Sequence, residues 1–449
     1  MSANPARAIE AVLRRRKMPA AFRRGFLESV RSASRGPCHL PETTLDPATE
    51  FPVFAGPGAA ASRAERARTV AITLNGGLGT TMGMRAPKAL LYATEGMTFL
   101  DIALKQAETV EVRPVLMNSF ATDAAVRENL GDKDVPTFLQ HEAPKLRRAD
   151  FHPVRVPGRP DLEWCPPGHG DLYTALGTSG VLADLLRKGF RYAFVSNVDN
   201  VGGCPDPALL AWFIRSGAPF LMEVVRRTPD DWKGGHLARR RSDGRLVLRE
   251  TAQCAPGDRD AFRDHERYCY FNANNLWLRL PALEDALDRG GGFLPLPTIA
   301  NPKTADPRDP GSEPVFHVEQ AAGTALEVFD GAQAVEVPRR RFAPVKTTEN
   351  LLVLRSDIYA IDENGLVEPA REPPPVALDR ERYRFISDLE ARFPHGPPSL
   401  LACDRFQVSG DVRFGRRVAC EGDVTVVGRR DRPARIPDGA RLRGVVRVS

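Results

Sequence analysis

The stretch LNGGLGTTMGMRAPK, residues 74–88, directly follows an apolar, β-branched run at 69–74. Glycine lets backbone N–H groups approach phosphate oxygens closely, and it adopts the positive φ angles that such a loop requires. A loop that follows a strand lies at the carboxyl edge of an open α/β sheet, where folds of this class bind their ligands. The stretch therefore predicts an α/β fold with a phosphate-binding loop at the edge of its sheet.

Two well-known phosphate loops do not fit this stretch. Gly77, Gly79 and Gly83 are wrongly spaced for the dinucleotide pattern G-x-G-x-x-G, and no Gly-Lys-Ser/Thr sequence closes a Walker loop. The lysine comes instead after Pro87, whose ring restricts the backbone. We expect Lys88 to place its ammonium group against phosphates, the alternative being a solvent-facing lysine after a turn.

The composition is that of a globular protein in water. Hydrophobic residues make up 42% and charged residues 27% of the 449 residues, and at about 150 residues per domain the length suggests roughly three units. No apolar run approaches the ~18 residues that a membrane span needs. The seven cysteines are scattered without a Cys-x-x-Cys pair, which predicts neither disulfides nor zinc and favours a reducing cytoplasm. The Arg-rich N-terminus has no apolar core like that of a secretory signal, so we expect no export.

The net charge of +6 suits an anionic partner, either nucleic acid or a phosphorylated small molecule. Much of the excess lies in the arginine runs at 14–16, 239–241 and 339–341. Such runs are more often solvated faces than binding patches. We therefore expect no nucleic-acid partner.

Hydrophobic periodicity outlines the elements. Residues 5–33 have helical spacing, 36–64 have no clear period and predict a surface connection, and 236–250 predict a hairpin beside the main sheet. A helix is expected over the leucines of 172–186, ending at Gly189. Four strand candidates alternate with helical stretches and predict a mainly parallel sheet, at 69–74, 113–117, 192–196 and 219–225.

The C-terminal region has a different pattern. Residues 361–398 are rich in proline and polar side chains, which is typical of a domain boundary. Short strands separated by Gly-Asp or Asp-Gly follow it. This spacing favours the rungs of a β-helix, although a small antiparallel barrel would give a similar pattern.

Two polar stretches follow predicted strands or precede predicted helices. In WCPPGHGDLY, 164–173, His169 stands between two glycines just before a helix. In FVSNVDNVGG, 194–203, an apolar strand ends in Asn197, Asp199 and Asn200. A carboxylate there could hold Mg²⁺, which binds through one or two carboxylates plus substrate phosphates; the alternative is that these residues only form the turn.

Three further stretches suit a phosphorylated sugar. KGGHL at 233–237, Glu250 and FNANNLW at 271–277 supply amides and a carboxylate that can bind hydroxyl groups in fixed directions. In RFAPVKTTENLL, 341–352, Lys346 precedes a helix that Thr347 or Thr348 could cap. A cation beside a helix N-terminus forms an anion site.

Taken together and in this order, these stretches resemble the UTP-glucose-1-phosphate uridylyltransferases of eukaryotic type, also called UDP-glucose pyrophosphorylases. The resemblance covers roughly 70–360 and includes FLQHEAPKL at 138–146. It implies a Rossmann-like, GT-A-like nucleotidyltransferase with a mixed sheet and a C-terminal left-handed β-helix. The domains would be a helical lead-in at 1–68, a catalytic domain at 69–385 and the β-helix at 386–449.

The resemblance also implies the reaction and the residues that perform it. UTP and glucose 1-phosphate would be converted to UDP-glucose and pyrophosphate, with Mg²⁺ bound by Asp199, in a cytoplasmic enzyme that could form homo-oligomers. Catalysis would depend on Lys346, Lys88 and Asp199. The UTP-binding residues would be Leu74, Asn75, Gly76, Gly77, Lys88, Gln140, Gly168, Asn197 and Lys346, with Gln140 and Gly168 contacting uracil. The sugar phosphate would be bound by His169, Gly235, Glu250, Asn274 and Asn275.

The chain departs from the family pattern at three places. FNANNLW replaces the usual FNTNNLW, His141 replaces a small polar residue after Gln140, and VEQAAG at 318–323 replaces Leu-Glu-Thr-Ala-Ala-Gly. These changes leave the reaction type intact and leave open a different or broader sugar preference. A non-catalytic nucleotide-sugar sensor on the same fold is the remaining alternative, although a sensor would not need the metal and leaving-group contacts.

Overall fold

The structure is a computed structural model that describes residues 4–36, 39–54, 56, 58–228, 231, 234–429 and 432–448. Its helices are α1 Pro5–Arg15, α2 Ala20–Ser34, α3 Arg63–Arg66, α4 Phe99–Thr109, α5 Asp123–Leu130, α6 Leu172–Thr178, α7 Val181–Arg187, α8 Pro207–Ser216, α9 Arg259–Arg263, α10 Leu280–Arg289, α11 Thr348–Arg355, α12 Arg380–Tyr383 and α13 Ile386–Arg392.

The strands of the described residues are β1 Leu45–Pro47, β2 Thr69–Asn75, β3 Tyr92–Thr94, β4 Met97–Thr98, β5 Arg113–Asn118, β6 Thr137–Leu139, β7 Ala143–Pro144, β8 Leu146–Arg147, β9 Trp164–Cys165, β10 Tyr192–Asn197, β11 Phe220–Arg226, β12 His236–Arg240, β13 Leu246–Arg249, β14 Tyr270–Arg279, β15 Thr298–Thr304, β16 Pro314–Gln320, β17 Gln333–Glu336, β18 Tyr359–Ile361, β19 Val367–Pro369, β20 Val376–Leu378, β21 Ser399–Ser409, β22 Val412–Phe414, β23 Ala419–Val427, β24 Ala434–Ile436 and β25 Arg441–Arg447.

The central sheet is mixed. Its strands run in the order β1-β12-β14-β10-β2-β5-β6, with β13 beside β12, and with β11 between β14 and β17. The strands β10, β2, β5 and β6 are parallel to one another, whereas β14 runs antiparallel to β10, β11 and β12. The α/β prediction is confirmed, but the sheet is not mainly parallel: outside these four strands, β11 and β17 are parallel, and the remaining pairs are antiparallel. The hairpin β12–β13 belongs to the antiparallel part and needs no crossover helix.

The N-terminal prediction of helix is confirmed, with a break. The helices α1 and α2 are separated at Lys17, which has a φ of 59°, and Pro19, which precedes the first residue of α2. Their apolar faces, including Ile9 and Phe22, are buried against β7, β9 and β16. The lead-in is thereby attached to the rest of the fold by a hydrophobic core of its own.

Two sequence predictions need correction. The connection at 36–64 contributes strand β1, which pairs with β12; the sequence missed it because this edge strand is short and ends in Pro47. The helix expected over 172–186 is two helices, α6 and α7, because Gly180 adopts a φ of 79° between them. The hairpin expected at 236–250 is confirmed, with His236 opposite Arg249.

The C-terminal strands pair in parallel. One sheet has the order β20-β21-β23-β25, and β22 pairs with β24 in a second sheet. This pairing rules out the antiparallel barrel for the described part of the region. The C-terminal sheet begins at β20, before the predicted domain boundary at 386, and its core is continuous with residues of α4 and α11.

No described helix is long and apolar enough to cross a membrane.

Candidate active site

The glycine-rich loop and the loop that carries Asp199 lie side by side. They follow β2 and β10, which are adjacent and parallel with Leu74 opposite Asn197. The Val198 N–H donates to the Leu74 carbonyl at 3.1 Å just beyond the paired strands. The carboxyl edge of the sheet therefore brings the predicted phosphate loop to the predicted metal ligand, as expected for this class of fold.

Asp199 lies between the two predicted phosphate-binding lysines. The Lys88 Nζ atom is 2.6 Å from Asp199 Oδ2, and the Lys346 Nζ atom is 2.8 Å from both carboxylate oxygens. Burial by itself would raise the pKa of Asp199, but the two ammonium groups outweigh it and hold the pKa below its usual value. Burial lowers the pKa of Lys88, an effect that Asp199 opposes. The site therefore concentrates two positive charges around one carboxylate.

The two lysines differ in exposure. The Lys88 side chain is 10% exposed, and its ammonium group also donates to the Val345 carbonyl. Its backbone N–H donates to the Gly77 carbonyl at 3.0 Å, which fixes Lys88 against the glycine-rich loop. The Lys346 side chain is 54% exposed. Lys346 can therefore exchange Asp199 for an incoming anion without opening the core.

His169 faces the same edge from the loop before α6. Its Nδ1 atom accepts the Ala322 N–H at 2.9 Å. Burial, reinforced by the charge of Lys346, lowers the pKa of His169 to about 4. The ring is therefore neutral near pH 7, with its proton on Nε2 available to donate to a phosphate oxygen.

Gly168 is required where it stands. It has a φ of 83°, and a Cβ atom there would lie 2.4 Å from the Gln320 carbonyl oxygen. Its own carbonyl accepts from Gln140 Nε2 at 2.6 Å, and the Gln140 side chain also borders Gly76. The two residues predicted to contact uracil are thus brought together beside the glycine-rich loop.

The predicted UTP residues of β2 and its loop differ in accessibility. Leu74 is buried, and Asn75 is fully buried with its Nδ2 atom 2.9 Å from Asn118 Oδ1. Gly77, in contrast, has open space where a side chain would be. Backbone at Gly76 and Gly77 can therefore approach a ligand, whereas the side chain of Asn75 ties β2 to β5.

Apart from His169, the predicted sugar-binding residues lie on or next to β12, β13 and β14. A Cβ atom on Gly235 would lie 2.7 Å from Glu250 Oε2, and burial raises the pKa of Glu250. Asn274 has a φ of 57°, an uncommon conformation for a residue other than glycine, and its N–H donates to Asn272 Oδ1 at 2.7 Å. Lys233, in the quoted KGGHL stretch, lies outside the described residues.

Asn275 has no exposed surface. Its Nδ2 atom donates to Glu223 Oε2 at 2.9 Å and to the Arg341 carbonyl at 3.1 Å, and its Oδ1 atom accepts from Asn200 Nδ2 at 3.0 Å. In this state its amide holds the framework together, and its contact to glucose stays a prediction.

Sequence reasoning missed the residues at the centre of that framework. Glu223 is fully buried on β11, and both of its oxygens accept from Arg341 at 2.7 Å. The Trp277 Nε1 atom donates to Glu223 at 2.9 Å. A lone acidic residue in the apolar run FLMEVV was the available signal, because a buried carboxylate requires a charged or hydrogen-bonding partner.

A second missed network lies beneath Gln140. The His141 Nδ1 atom is 2.8 Å from Asp171 Oδ1, its Nε2 atom is 2.9 Å from Thr178 Oγ1, and its ring stacks on Phe22 at 4.2 Å. Asp171 also accepts the His141 backbone N–H at 2.7 Å. The departure from the family pattern at 141 therefore links the uracil-side residues to helix α2.

Comparisons with known proteins identify the family. The sequence model of the UTP--glucose-1-phosphate uridylyltransferase family matches residues 55–421. The chain belongs to this family. It is 37% identical over 391 residues to the probable UTP--glucose-1-phosphate uridylyltransferase of Schizosaccharomyces pombe, covering 84% of this chain and 76% of the relative. It is 37% identical over 390 residues to the enzyme of that name from Solanum tuberosum, covering 83% and 80%.

Solved structures of the same kind match the whole fold. A variant of the UDP-glucose pyrophosphorylase from Leishmania major, solved in complex with UDP-glucose, superposes with a TM-score of 0.93 at 37% identity, covering 100% of both chains. The UDP-glucose phosphorylase from Trypanosoma brucei gives a TM-score of 0.92 at 38% identity, covering 99% of this chain and 100% of that one. The mixed α/β fold is therefore that of UDP-glucose pyrophosphorylases.

Proposed function

We propose that this protein is an enzyme that transfers the uridylyl group of UTP to glucose 1-phosphate, forming UDP-glucose and pyrophosphate. The observation that carries the proposal is the position of Asp199 between Lys88 and Lys346, beside a glycine-rich loop. Two cations and open backbone N–H groups at one sheet edge suit a reaction between two phosphate-bearing substrates. The relatives carry the same activity in their names.

The chemistry requires no covalent enzyme intermediate. A phosphate oxygen of glucose 1-phosphate attacks the α-phosphorus of UTP in line, and the bond from that phosphorus to the bridging oxygen of pyrophosphate breaks. The attacking group is already an anion, so no base is needed to activate it. The protein has to hold two anions that repel each other and to neutralise the charge that develops on the transferred group.

The described residues divide this work. Lys346, which is exposed, would bind the sugar phosphate and the α-phosphate, and Lys88, held at Gly77, would neutralise the departing pyrophosphate. His169 would donate its Nε2 proton to the sugar phosphate without adding a charge. Gln140 and Gly168 would select uracil, because their amide groups can pair with its ring edge.

Mg²⁺ is part of the proposal. No group of three potential metal ligands occurs among the described residues, and Asp199 supplies a single carboxylate. This fits an ion that takes most of its ligands from water and substrate phosphates. When bound by Asp199, the ion would add positive charge at the phosphates. It would also compete with Lys88 and Lys346 for the carboxylate oxygens.

Pyrophosphate release tests the function directly. The purified protein would be mixed with UTP, Mg²⁺ and a panel of sugar 1-phosphates. Release with glucose 1-phosphate, abolished by EDTA, supports the proposal, and release with other sugars would define a broader preference. Saturable UDP-glucose binding without release from any sugar would contradict it and favour a nucleotide-sugar sensor.

We also infer that the two parallel C-terminal sheets form a left-handed β-helix, because parallel rungs of this length are typical of such folds. We likewise propose the domain limits at 68/69 and 385/386 and a homo-oligomeric assembly. A cytoplasmic location is inferred from the use of cysteine alone.

A further inference from the structure

A second concave site lies on the three-stranded sheet formed by β15, β16 and β8. It is a cavity of about 440 Å³ whose walls include three prolines and a threonine. Its four remaining lining residues are all basic: Lys145, Arg148, Lys303 and His317. None of the described residues that line it is acidic, and none belongs to the candidate active site. We call it the basic pocket.

Lys145 is the buried cation of the basic pocket. It is only 6% exposed, and its Nζ atom donates to the Ala305 carbonyl at 2.8 Å. Within the described part of the chain it forms no ion pair. An ammonium group has three protons to donate, and a buried charge without a counter-ion is costly. Accordingly, burial lowers the pKa of Lys145, and the charges of Cys165, Asp306 and Asp161 oppose this effect without outweighing it. An anion in the pocket would relieve this cost.

The other basic groups also have donor capacity to spare. The Arg148 guanidinium lies 5.4 Å from the centre of the Phe316 ring, and neither Arg148 nor Lys303 forms an ion pair with a described residue. The His317 Nε2 atom is buried and has no described partner, while its Nδ1 atom lies 3.5 Å from Glu319 Oε1. A guanidinium beside an aromatic ring keeps its N–H fork, whose geometry matches phosphate oxygens.

We propose that the basic pocket binds the phosphate group of a small molecule, separately from the substrates of the candidate active site. The concave shape favours a small molecule over nucleic acid, which binds to extended basic surfaces, and the volume lies in the range of small-ligand sites, about 300 to 1,000 Å³. The ligand is either free phosphate or a phosphomonoester, since both present the same oxygens to these cations.

The pocket is connected to the nucleotide side by strand β16. His317 lies two residues before Glu319, and the Glu319 Cβ atom would be 3.1 Å from a Cβ atom on Gly168. Residues two apart on a strand share a face. The proposed ligand would therefore sit on the same strand that supports the loop with Gly168 and His169, while its own contacts stay outside that loop.

Calorimetric titration of the full chain at low ionic strength tests the proposal. The probes are inorganic phosphate and ribose 5-phosphate, with saturating UDP-glucose present to occupy the candidate active site. We expect saturable binding of at least one probe. The double variant Arg148→Ser/Lys303→Ser should weaken it by roughly tenfold or more per cation removed. Tighter binding of ribose 5-phosphate would identify a phosphomonoester, and tighter binding of phosphate the free ion.

The control is the double variant Lys188→Ser/Arg289→Ser, which removes one lysine and one arginine from exposed helix ends outside the pocket. It should bind the probes as the parent does. A second variant, Lys145→Met, should abolish binding without lowering the thermal midpoint, because it removes a buried charge that has no counter-ion in the described part of the chain. No saturable binding at millimolar probe, or equal loss in the pocket and control variants, would overturn the proposal. So would a Lys145→Met protein that binds normally.

Discussion

The Nδ1 atom of His169 accepts the backbone N–H of Ala322, 153 residues further along the chain, at 2.9 Å. This bond fixes the ring proton on Nε2, and the lowered pKa of about 4 keeps the ring uncharged near neutrality. The His169 ring therefore donates to a phosphate oxygen as a neutral group, and its own charge does not change with pH near neutrality. The relationship therefore predicts both the role of His169 and its pH dependence.

The pH profile of KM for glucose 1-phosphate should show no ionisation of His169 near pH 6.5; the second ionisation of the substrate phosphate, at about pH 6, should be present in parent and variant alike. The pKa of His169 is lowered, so the ring becomes charged only as the pH falls towards 4. His169→Leu should raise KM by roughly tenfold or more, because leucine has no donor to replace the hydrogen bond to an ion. An inflection near pH 6.5 that is present in the parent and absent from His169→Leu would contradict the lowered pKa of His169.

Lys346→Ala should lower kcat by about 10²- to 10³-fold, the usual cost of removing one group that stabilises developing charge. The thermal midpoint should barely change, because the side chain is 54% exposed. Steady-state kinetics and thermal unfolding measure the two effects. Lys188→Ala, an exposed lysine away from the site, is the control. An unfolded protein or parental activity would show that the assignment of Lys346 is wrong.

Glu223→Gln should lower the free energy of unfolding by about 3 to 5 kcal/mol, because it leaves the buried Arg341 guanidinium without its counter-ion. The matched control lies on the same strand: Arg226→Gln removes the Arg226 guanidinium, which is 62% exposed, from Glu336, which is 16% exposed. Because that guanidinium lies mostly in solvent and Glu336 still accepts from the Tyr270 hydroxyl, we expect a loss of about 1 kcal/mol. Urea unfolding compares the two variants, and equal losses would mean that burial does not set the strength of the Glu223–Arg341 pair.

His141→Ser restores the small polar residue that relatives are expected to have after Gln140. It removes the side-chain bond to Asp171 and the stacking on Phe22. We expect a loss of about 1 to 3 kcal/mol in stability, and a rise in KM for UTP rather than a fall in kcat, since Gln140 is adjacent. Phe22→Leu should reproduce part of the effect from the N-terminal helix. A fall in kcat at unchanged KM would place His141 in the chemical step instead.

His236 should make the protein less stable in mild acid. Its pKa falls from 6.5 to about 3 in the folded state, first because of burial and then because of Arg249 and Arg227. Between these values the unfolded chain binds the proton and the folded chain does not, so stability falls as the pH is lowered below 6.5. The slope is up to about 1.4 kcal/mol per pH unit.

The comparison for His236 uses His236→Phe, which keeps a ring against Tyr268. Urea unfolding from pH 7 to pH 5 should show a shallower loss in the variant than in the parent. Identical slopes would mean that His236 is protonated in the folded protein or does not titrate in this range.

The sequence alone determined the parts of this protein that depend on neighbouring residues. The glycines and proline around Lys88, the strand that ends before Asp199 and the capped helix after Lys346 are each encoded within a few positions. Backbone freedom, side-chain chemistry and helix capping are local properties, so the α/β class and the phosphate-binding edge could be predicted. Their order along the chain was sufficient to indicate the family.

Only the tertiary structure determined which buried polar groups form hydrogen bonds with one another. The Asn275 amide is held by Glu223, 52 residues away, and Glu223 is held by Arg341, 118 residues away. Nothing in the sequence indicated that β1 pairs with β12, that Gly180 divides a helix, or that Lys145 is buried without a counter-ion among the described residues. These features depend on packing between distant segments, because only the folded chain determines which buried charges and donors find a partner.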